Sequence, residues 1–284
     1  MKKRIITGIV ALMIFLPLCI FSKYVIFPIA MGILAAIGVY ELAKCMGMQK
    51  KFALTIPLYL VAFALPILRF FLSGKSKPNS VFMLFAMAST FVLLVYAISY
   101  VTYTKNKYKL SDVLTFFALS VYVIGCFSAV VVVRYTELVP NQGAFMYPII
   151  FISAWVCDTF AYFTGRFFGK HKLIPEISPK KTIEGAIGGV VFTLLAMIGY
   201  WAIIKFVPFF NYDGISLVQI CILGLILPIV TQTGDLLASC IKRQYDVKDF
   251  GNVFPGHGGV LDRFDSPMLA APAICIINAI IALF

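Results

Sequence analysis

Long, uninterrupted apolar runs are the feature that most restricts how this chain can fold. The 284 residues are 61% hydrophobic, whereas soluble domains are about half apolar. Runs of about 20 apolar residues are long enough to cross the hydrocarbon core of a bilayer as helices. A β-barrel would show short alternating segments, and these runs are continuous. The sequence therefore predicts an all-α, polytopic integral membrane protein.

Nine membrane-spanning helices are predicted. The first apolar run follows Lys2, Lys3 and Arg4, and because no small-residue cleavage site follows it, we expect a retained span and not a signal peptide. The predicted spans cover residues 5–21, 25–43, 52–73, 80–104, 111–134, 143–165, 183–208, 216–238 and 265–284.

The basic residues predict the orientation of these spans. With a cytoplasmic N-terminus, 18 of the 24 lysines and arginines lie on the cytoplasmic side and 6 lie outside. This bias agrees with the positive-inside rule, which also accounts for the net charge of +12 without a nucleic-acid partner. The segment 69–77 opposes the assignment with three positive charges. We expect a protein of the plasma membrane whose active site faces the cytoplasm.

Charge is scarce in the chain and is concentrated in residues 234–266, between the last two predicted spans. Five of the twelve acidic residues lie there, namely Asp235, Asp246, Asp249, Asp262 and Asp265. Charge placed between spanning segments of a membrane protein indicates function. We therefore expect residues 1–110 to be a transmembrane scaffold. Residues 111–284 are the predicted catalytic region, with cytoplasmic loops at 166–182 and 239–264.

Three of these aspartates suit a metal ion. Asp235 lies near the cytoplasmic end of the eighth span, and Asp262 and Asp265 lie three residues apart at the entry to the last span. Carboxylates converging from two helix ends suit Mg²⁺, which keeps waters and bridges substrate phosphates. Two simpler interpretations stay open: Asp235 pairs with Lys242, or one of the later aspartates caps a helix N-terminus.

A glycine-rich turn is predicted at residues 255–259, Pro-Gly-His-Gly-Gly. Glycines let the backbone approach a ligand closely and aim N–H groups at phosphate. We expect His257 to be a structural or phosphate-contacting residue and not a general base.

A second group of polar residues lies between residues 158 and 185. Asp158 falls within a span and needs a partner, and Lys180, Lys181 and Thr182 directly precede the seventh span. Basic residues beside a helix N-terminus form an anion site. The alternative is that these lysines contact lipid headgroups.

Two stretches resemble the signature of the phosphatidate cytidylyltransferases, also called CDP-diacylglycerol synthases. They read SCIKRQYDVKD at residues 239–249 and PGHGGVLDRFD at 255–265. Residues 158–172 and 178–185 are similar to upstream motifs of that family. The resemblance implies transfer of a cytidylyl group from CTP to phosphatidic acid. The products are CDP-diacylglycerol and pyrophosphate, and the cofactor is Mg²⁺.

The resemblance also implies roles for individual residues. It gives Asp235, Asp262 and Asp265 to the metal, and catalysis to Asp235, Asp262, Lys242, Lys248 and His257. It gives substrate binding to Ser178, Lys180, Lys181, Thr182, Ser239, Arg243, Gly258, Gly259 and Arg263. The implied partners are CTP, phosphatidic acid and membrane lipid, and a homodimer is left open.

Two other functions are considered. An ion or proton transporter could use Asp158 and Asp235, but transporters place such charges near the midplane between inverted repeats. Here the charge lies at one face and no repeat is evident. Another membrane CDP-lipid phosphotransferase would carry a motif that begins Asp-Gly, and neither Asp158 nor Asp235 is followed by glycine.

A cysteine placed at Gln244 in a cysteine-free background tests the predicted orientation. An impermeant thiol reagent should leave it unlabelled in intact cells and label it after permeabilisation, because the positive-inside bias puts this segment in the cytoplasm. Labelling in intact cells would contradict the orientation and, with it, access to cytosolic CTP.

Overall fold

The computed structural model describes residues 2–74, 78–104, 107–136 and 141–281, with backbone alone at residues 2–7, 9, 11 and 12. Within these ranges it has nine α-helices. They are α1 Lys2–Ile20, α2 Ile26–Cys45, α3 Phe52–Leu72, α4 Pro78–Tyr103, α5 Leu110–Arg134, α6 Gln142–Phe168, α7 Ile183–Phe206, α8 Leu217–Gln244 and α9 Leu261–Ile281. Eight of them, α2 to α9, are long and apolar enough to cross a membrane. The predicted all-α, polytopic membrane architecture is confirmed.

The charged ends of three helices extend beyond the predicted spans. α6 continues to Phe168, α8 continues to Gln244, and α9 begins at Leu261 and not at residue 265. The prediction stopped each span where apolar residues stop, but cations such as Lys242 and Arg243 stabilise the last turn of a helix. The loop predicted at 239–264 is therefore non-helical only at residues 245–260. The last three residues of the ninth predicted span, 282–284, lie outside the described residues.

The loop predicted at 166–182 contains a small β-hairpin. Strand β1, Lys172–Ile174, pairs antiparallel with β2, Ser178–Thr182. Thr182 then caps α7, because its Oγ1 accepts a hydrogen bond from the Gly185 N–H at 3.1 Å. The hairpin therefore leads directly into the N-terminus of α7, where basic residues were predicted to form an anion site.

Two compact units divide the chain. The first consists of Met1–Tyr135 with Tyr245–Arg263, and the second of Thr136–Gln244 with Phe264–Phe284. The residues between α8 and α9 thus belong to the first unit, although they follow a helix of the second. The functional boundary predicted near residue 110 stays a prediction.

Helix packing in both units depends on small residues. In the first unit α2 packs against α3 and α5. In the second unit α6 packs against α7 and α8, and a Cβ added at Gly185 would lie 2.6 Å from the Ala161 carbonyl oxygen and 3.1 Å from the Gly165 Cα. Close backbone approach through small residues is a common way for helices to associate in a bilayer. It brings the charged end of α6 close to the start of α7.

Candidate active site

A cavity of about 330 Å³ lies in the second unit, and we call it the carboxylate cavity. Parts of α6, the β-hairpin, the start of α7 and the C-terminal half of α8 surround it. Its lining residues are Asp158, Ala161, Tyr162, Gly165, Arg166, Leu173, Lys180, Lys181, Thr182, Gly185, Ala186, Gln232 and Asp235. Acidic and basic side chains therefore meet in one cavity that is bounded by membrane-spanning helices.

An ion pair between Lys181 and Asp235 crosses this cavity. The Lys181 Nζ lies 2.6 Å from Asp235 Oδ2, and the two side chains are 24% and 28% exposed. The suggestion that Asp235 pairs with Lys242 is therefore corrected, because β2 brings Lys181 to the carboxylate. Half-buried charges need such a partner, since desolvation of an unpaired carboxylate is costly.

Asp158 is the third charged group of the cavity, and it was not among the predicted site residues. Its Oδ2 accepts a hydrogen bond from Ser266 Oγ at 3.0 Å, and it interacts electrostatically with Asp235 and Lys181. The signal in the sequence was an acidic residue inside an apolar span. That signal showed that Asp158 needs a partner but did not show which residues surround it.

Asp265 belongs to the same charge network. Its Oδ1 accepts the N–H of Ser266 at 2.9 Å, and the carboxyl group interacts electrostatically with Asp235, Asp158 and Lys242. Three carboxylates and two lysines of the second unit therefore influence one another. Carboxylates that repel each other in a partly desolvated site are stabilised by a cation.

The fit of this network to a metal ion can be judged from its donors. Within the described ranges, no group of three or more His, Cys, Asp or Glu side chains could hold a metal ion. Mg²⁺ does not need such a group, because it commonly uses one or two carboxylates together with waters and substrate phosphates. Asp235 and Asp265 supply oxygen donors of that kind, with Lys181 at Asp235 in this structure.

The other predicted residues of the second unit lie around this network. Lys242 and Arg243 are in the last turn of α8, and Ser239 is half-buried one turn after Asp235. Ser178 begins strand β2 opposite Ile174, and Lys180 is exposed at the cavity.

The glycine-rich turn, residues 255–259, lies in the first unit. The Phe254 N–H donates to the Gly258 carbonyl at 2.9 Å, and the His257 N–H donates to the Phe254 carbonyl at 2.8 Å. Gly256 and Gly258 have φ angles of 80° and 86°, a conformation that favours glycine. The predicted tight turn is confirmed. Arg263 Nε supports it by donating to the His257 carbonyl at 2.7 Å.

Asp262 holds the base of this turn. The carboxylate is 8% exposed, and its Oδ2 accepts the N–H groups of Phe250 at 2.8 Å and Gly259 at 2.9 Å. The Gly259 N–H is thus donated to Asp262 in this structure, and the role of Gly259 in substrate binding stays a prediction. Asp262 belongs to the first unit and Asp235 to the second, so their joint metal site stays a prediction. Lys248 is exposed in the same segment as the turn.

Glu41 of α2 is a polar residue that the sequence analysis missed. It is 1% exposed, and its two carboxylate oxygens accept the N–H groups of Val260 at 2.9 Å and Leu261 at 3.0 Å. It lies close to Lys44 near the end of a predicted span, so it resembled an ordinary interfacial charge. The only signal in the sequence was an acidic residue within a mainly apolar segment.

Fold and site together define a multi-pass membrane protein whose helix ends carry a charged, water-accessible cavity. The profile of the cytidylyltransferase family matches residues 2–281. The chain is 36% identical over 277 residues to a phosphatidate cytidylyltransferase of Staphylococcus haemolyticus (strain JCSC1435), covering 98% of each sequence. It is 34% identical over 290 residues to the phosphatidate cytidylyltransferase of Bacillus subtilis (strain 168), covering 99% of this chain and 98% of that protein.

The chain belongs to the cytidylyltransferase family, because the profile spans nearly all of it and the relatives align from end to end. The resemblance seen in residues 239–265 is thereby confirmed as membership of this family. The alignment also includes the first 110 residues, where the sequence motifs gave little information.

Removing Lys181 tests the ion pair of the carboxylate cavity. Lys181→Met should lower the free energy of unfolding by about 1–3 kcal/mol, because it leaves a partly buried carboxylate without its cation. Thermal unfolding in detergent without ligand measures this loss. Lys180→Met, at the exposed neighbouring position, is the matched control and should have little effect.

The double variant Lys181→Met/Asp235→Asn completes the cycle. It should recover most of the lost stability, since it removes the carboxylate that Lys181 neutralises. Additive losses in the double variant would contradict a direct interaction.

Proposed function

We propose that this protein transfers a cytidylyl group from CTP to phosphatidic acid, which yields CDP-diacylglycerol and pyrophosphate. The observation that carries the proposal is the carboxylate cavity, where Asp235 and Lys181 meet at the ends of membrane-spanning helices. Such a position lets a water-soluble triphosphate and a membrane lipid reach the same groups. The names of the end-to-end relatives support this choice of substrates.

The reaction requires no strong base. A phosphate oxygen of phosphatidic acid attacks the α-phosphorus of CTP, the bond to the bridging oxygen breaks, and pyrophosphate leaves with the electron pair. The nucleophile is already an anion at neutral pH, so catalysis consists of positioning and charge stabilisation. Histidine as a proton acceptor is therefore not needed, and His257 takes the role of a phosphate contact.

Lysines of the second unit neutralise the two anionic reactants. Lys181 and Lys180 line the cavity, and Lys242 interacts with Asp265. When a phosphate enters, Lys181 can exchange part of its contact with Asp235 for a phosphate oxygen. Because the resting carboxylates already hold lysine side chains near the cavity, little rearrangement is required for this exchange.

Mg²⁺ is the proposed cofactor, with Asp235 and Asp265 as ligands and Asp262 as a further predicted ligand. When bound, the ion neutralises the triphosphate and the charge that develops on the leaving pyrophosphate. Asp158 adds negative charge beside Asp235, which favours a cation at this position.

The segment between α8 and α9 supplies the remaining proposed contacts. Lys248 is exposed there, and the turn that carries His257 and Gly258 is fixed by internal hydrogen bonds. We assign these groups to the phosphates of CTP. The site faces the cytoplasm of the cell in this proposal, because CTP is supplied from that side.

Replacing Asp235 tests the proposed site. Asp235→Asn should reduce turnover at least about a hundredfold, since loss of a preorganised electrostatic group costs roughly 3–4 kcal/mol. The assay measures CDP-diacylglycerol and pyrophosphate from purified protein with CTP, Mg²⁺ and phosphatidic acid, and EDTA should stop it. Asp213→Asn, at an exposed acid outside the helices, is the matched control and should leave turnover unchanged.

The lipid requirement separates this reaction from simple nucleotide hydrolysis. The two products should form in equal amounts, and diacylglycerol should not replace phosphatidic acid because it lacks the attacking phosphate. Pyrophosphate release without lipid, or wild-type turnover by Asp235→Asn, would contradict the proposal.

A further inference from the structure

Glu41 is a fully buried carboxylate of α2 that contacts the segment between α8 and α9. Its side chain is 1% exposed, and 219 and 220 residues separate it from its partners Val260 and Leu261. Each carboxylate oxygen accepts one backbone N–H of those residues. The contact lies wholly within the first unit.

The arrangement of donors explains why a carboxylate occupies this position. The N–H groups of Gly259, Val260 and Leu261 follow one another at the start of α9, and the first is accepted by Asp262 while the other two are accepted by Glu41. These N–H groups have no partner inside the helix, and the helix dipole favours negative charge beside them. Glu41 therefore satisfies two buried donors at once.

Two glycines make room for this carboxylate. A Cβ added at Gly251 or at Gly259 would collide with the Glu41 carboxyl group. Gly251 lies on the chain entering the glycine-rich turn, and Gly259 is the last residue of the turn. The side chain of Glu41 is thus held between the two backbone segments from which the turn projects.

We propose that Glu41 is a positioning residue that fixes the glycine-rich turn, residues 255–259, in the orientation required for binding the phosphates of the nucleotide. This inference rests on the proposed function, which gives the turn its ligand. Glu41 does not touch the substrate in this account. It acts through Val260 and Leu261 and through its packing against Gly251 and Gly259.

Glu41→Gln tests the proposal because it keeps the size of the side chain but replaces one acceptor by an NH₂ group that faces a backbone N–H. A buried donor left without an acceptor destabilises the closed local structure, which raises the population of its open form by roughly a factor of ten or more. Amide hydrogen exchange of residues 250–261 should become about tenfold faster. In Glu41→Gln the KM for CTP should rise about tenfold, which is a larger change than the fall in kcat. Glu41→Asp keeps a carboxylate, so its hydrogen exchange and its KM should lie between those of the wild-type protein and those of Glu41→Gln.

The control is Met31→Ala. Met31 is a buried residue of the same helix and lies about 15 Å from Glu41 along the helix axis. The Met31→Ala variant should lower the melting temperature through a cavity but leave the exchange of residues 250–261 and the KM for CTP unchanged.

Gly251→Ala disturbs the contact of Glu41 with the segment between α8 and α9 from the side of that segment. This variant should reproduce the faster exchange and the raised KM, and it replaces Glu41→Gln in the test if Glu41→Gln does not accumulate.

Unchanged exchange of residues 250–261 in these variants would overturn the proposal. The proposal would also be overturned if exchange became faster while KM, and kcat corrected for the amount of folded protein, stayed at their wild-type values. Glu41 would then only stabilise the fold. Failure of the proposed function gives a different result, because the wild-type protein itself would then form no CDP-diacylglycerol.

Discussion

A carboxylate among apolar helices must be neutralised or hydrogen-bonded, and the local structure of both units follows from this requirement. In the second unit Lys181 neutralises Asp235 at 2.6 Å, which ties the β-hairpin to α8. In the first unit Glu41 accepts two N–H groups at the start of α9. These charges stabilise the protein only as long as their partners stay in place, so they impose a defined geometry on otherwise apolar segments.

The same requirement links structure to the proposed chemistry. Asp158, Asp235 and Asp265 interact with one another near Lys181 and Lys242. A site of this kind offers lysines to an anionic substrate and carboxylate oxygens to a cation. Hydrogen bonds within the glycine-rich turn hold its shape, and side chains of the first unit such as Arg263 and Asp262 add hydrogen bonds to it. Membership of the cytidylyltransferase family agrees with a site of this composition.

The sequence predicted the all-α membrane architecture and the tight turn because both depend on local patterns: apolar run length and glycines. It placed the ends of α8 and α9 incorrectly, since hydropathy does not detect that charged residues continue a helix. The Lys181–Asp235 pair and the role of Glu41 depend on contacts between residues 54 and about 220 positions apart. Contacts of this kind cannot be predicted from the spacing of residues along the chain, because that spacing indicates only local structure. The sequence singled out Asp158 as an acidic residue within an apolar span, but only the three-dimensional structure shows which residues surround it.

Nucleotide selectivity tests the central claim most directly, because it asks whether this charged cavity performs cytidylyl transfer. Pyrophosphate release is measured for purified protein with phosphatidic acid, Mg²⁺ and each of CTP, ATP, GTP and UTP in turn. The account predicts release with CTP, accompanied by an equal amount of CDP-diacylglycerol, and little release with the other three nucleotides. Equal release with ATP and CTP would contradict it.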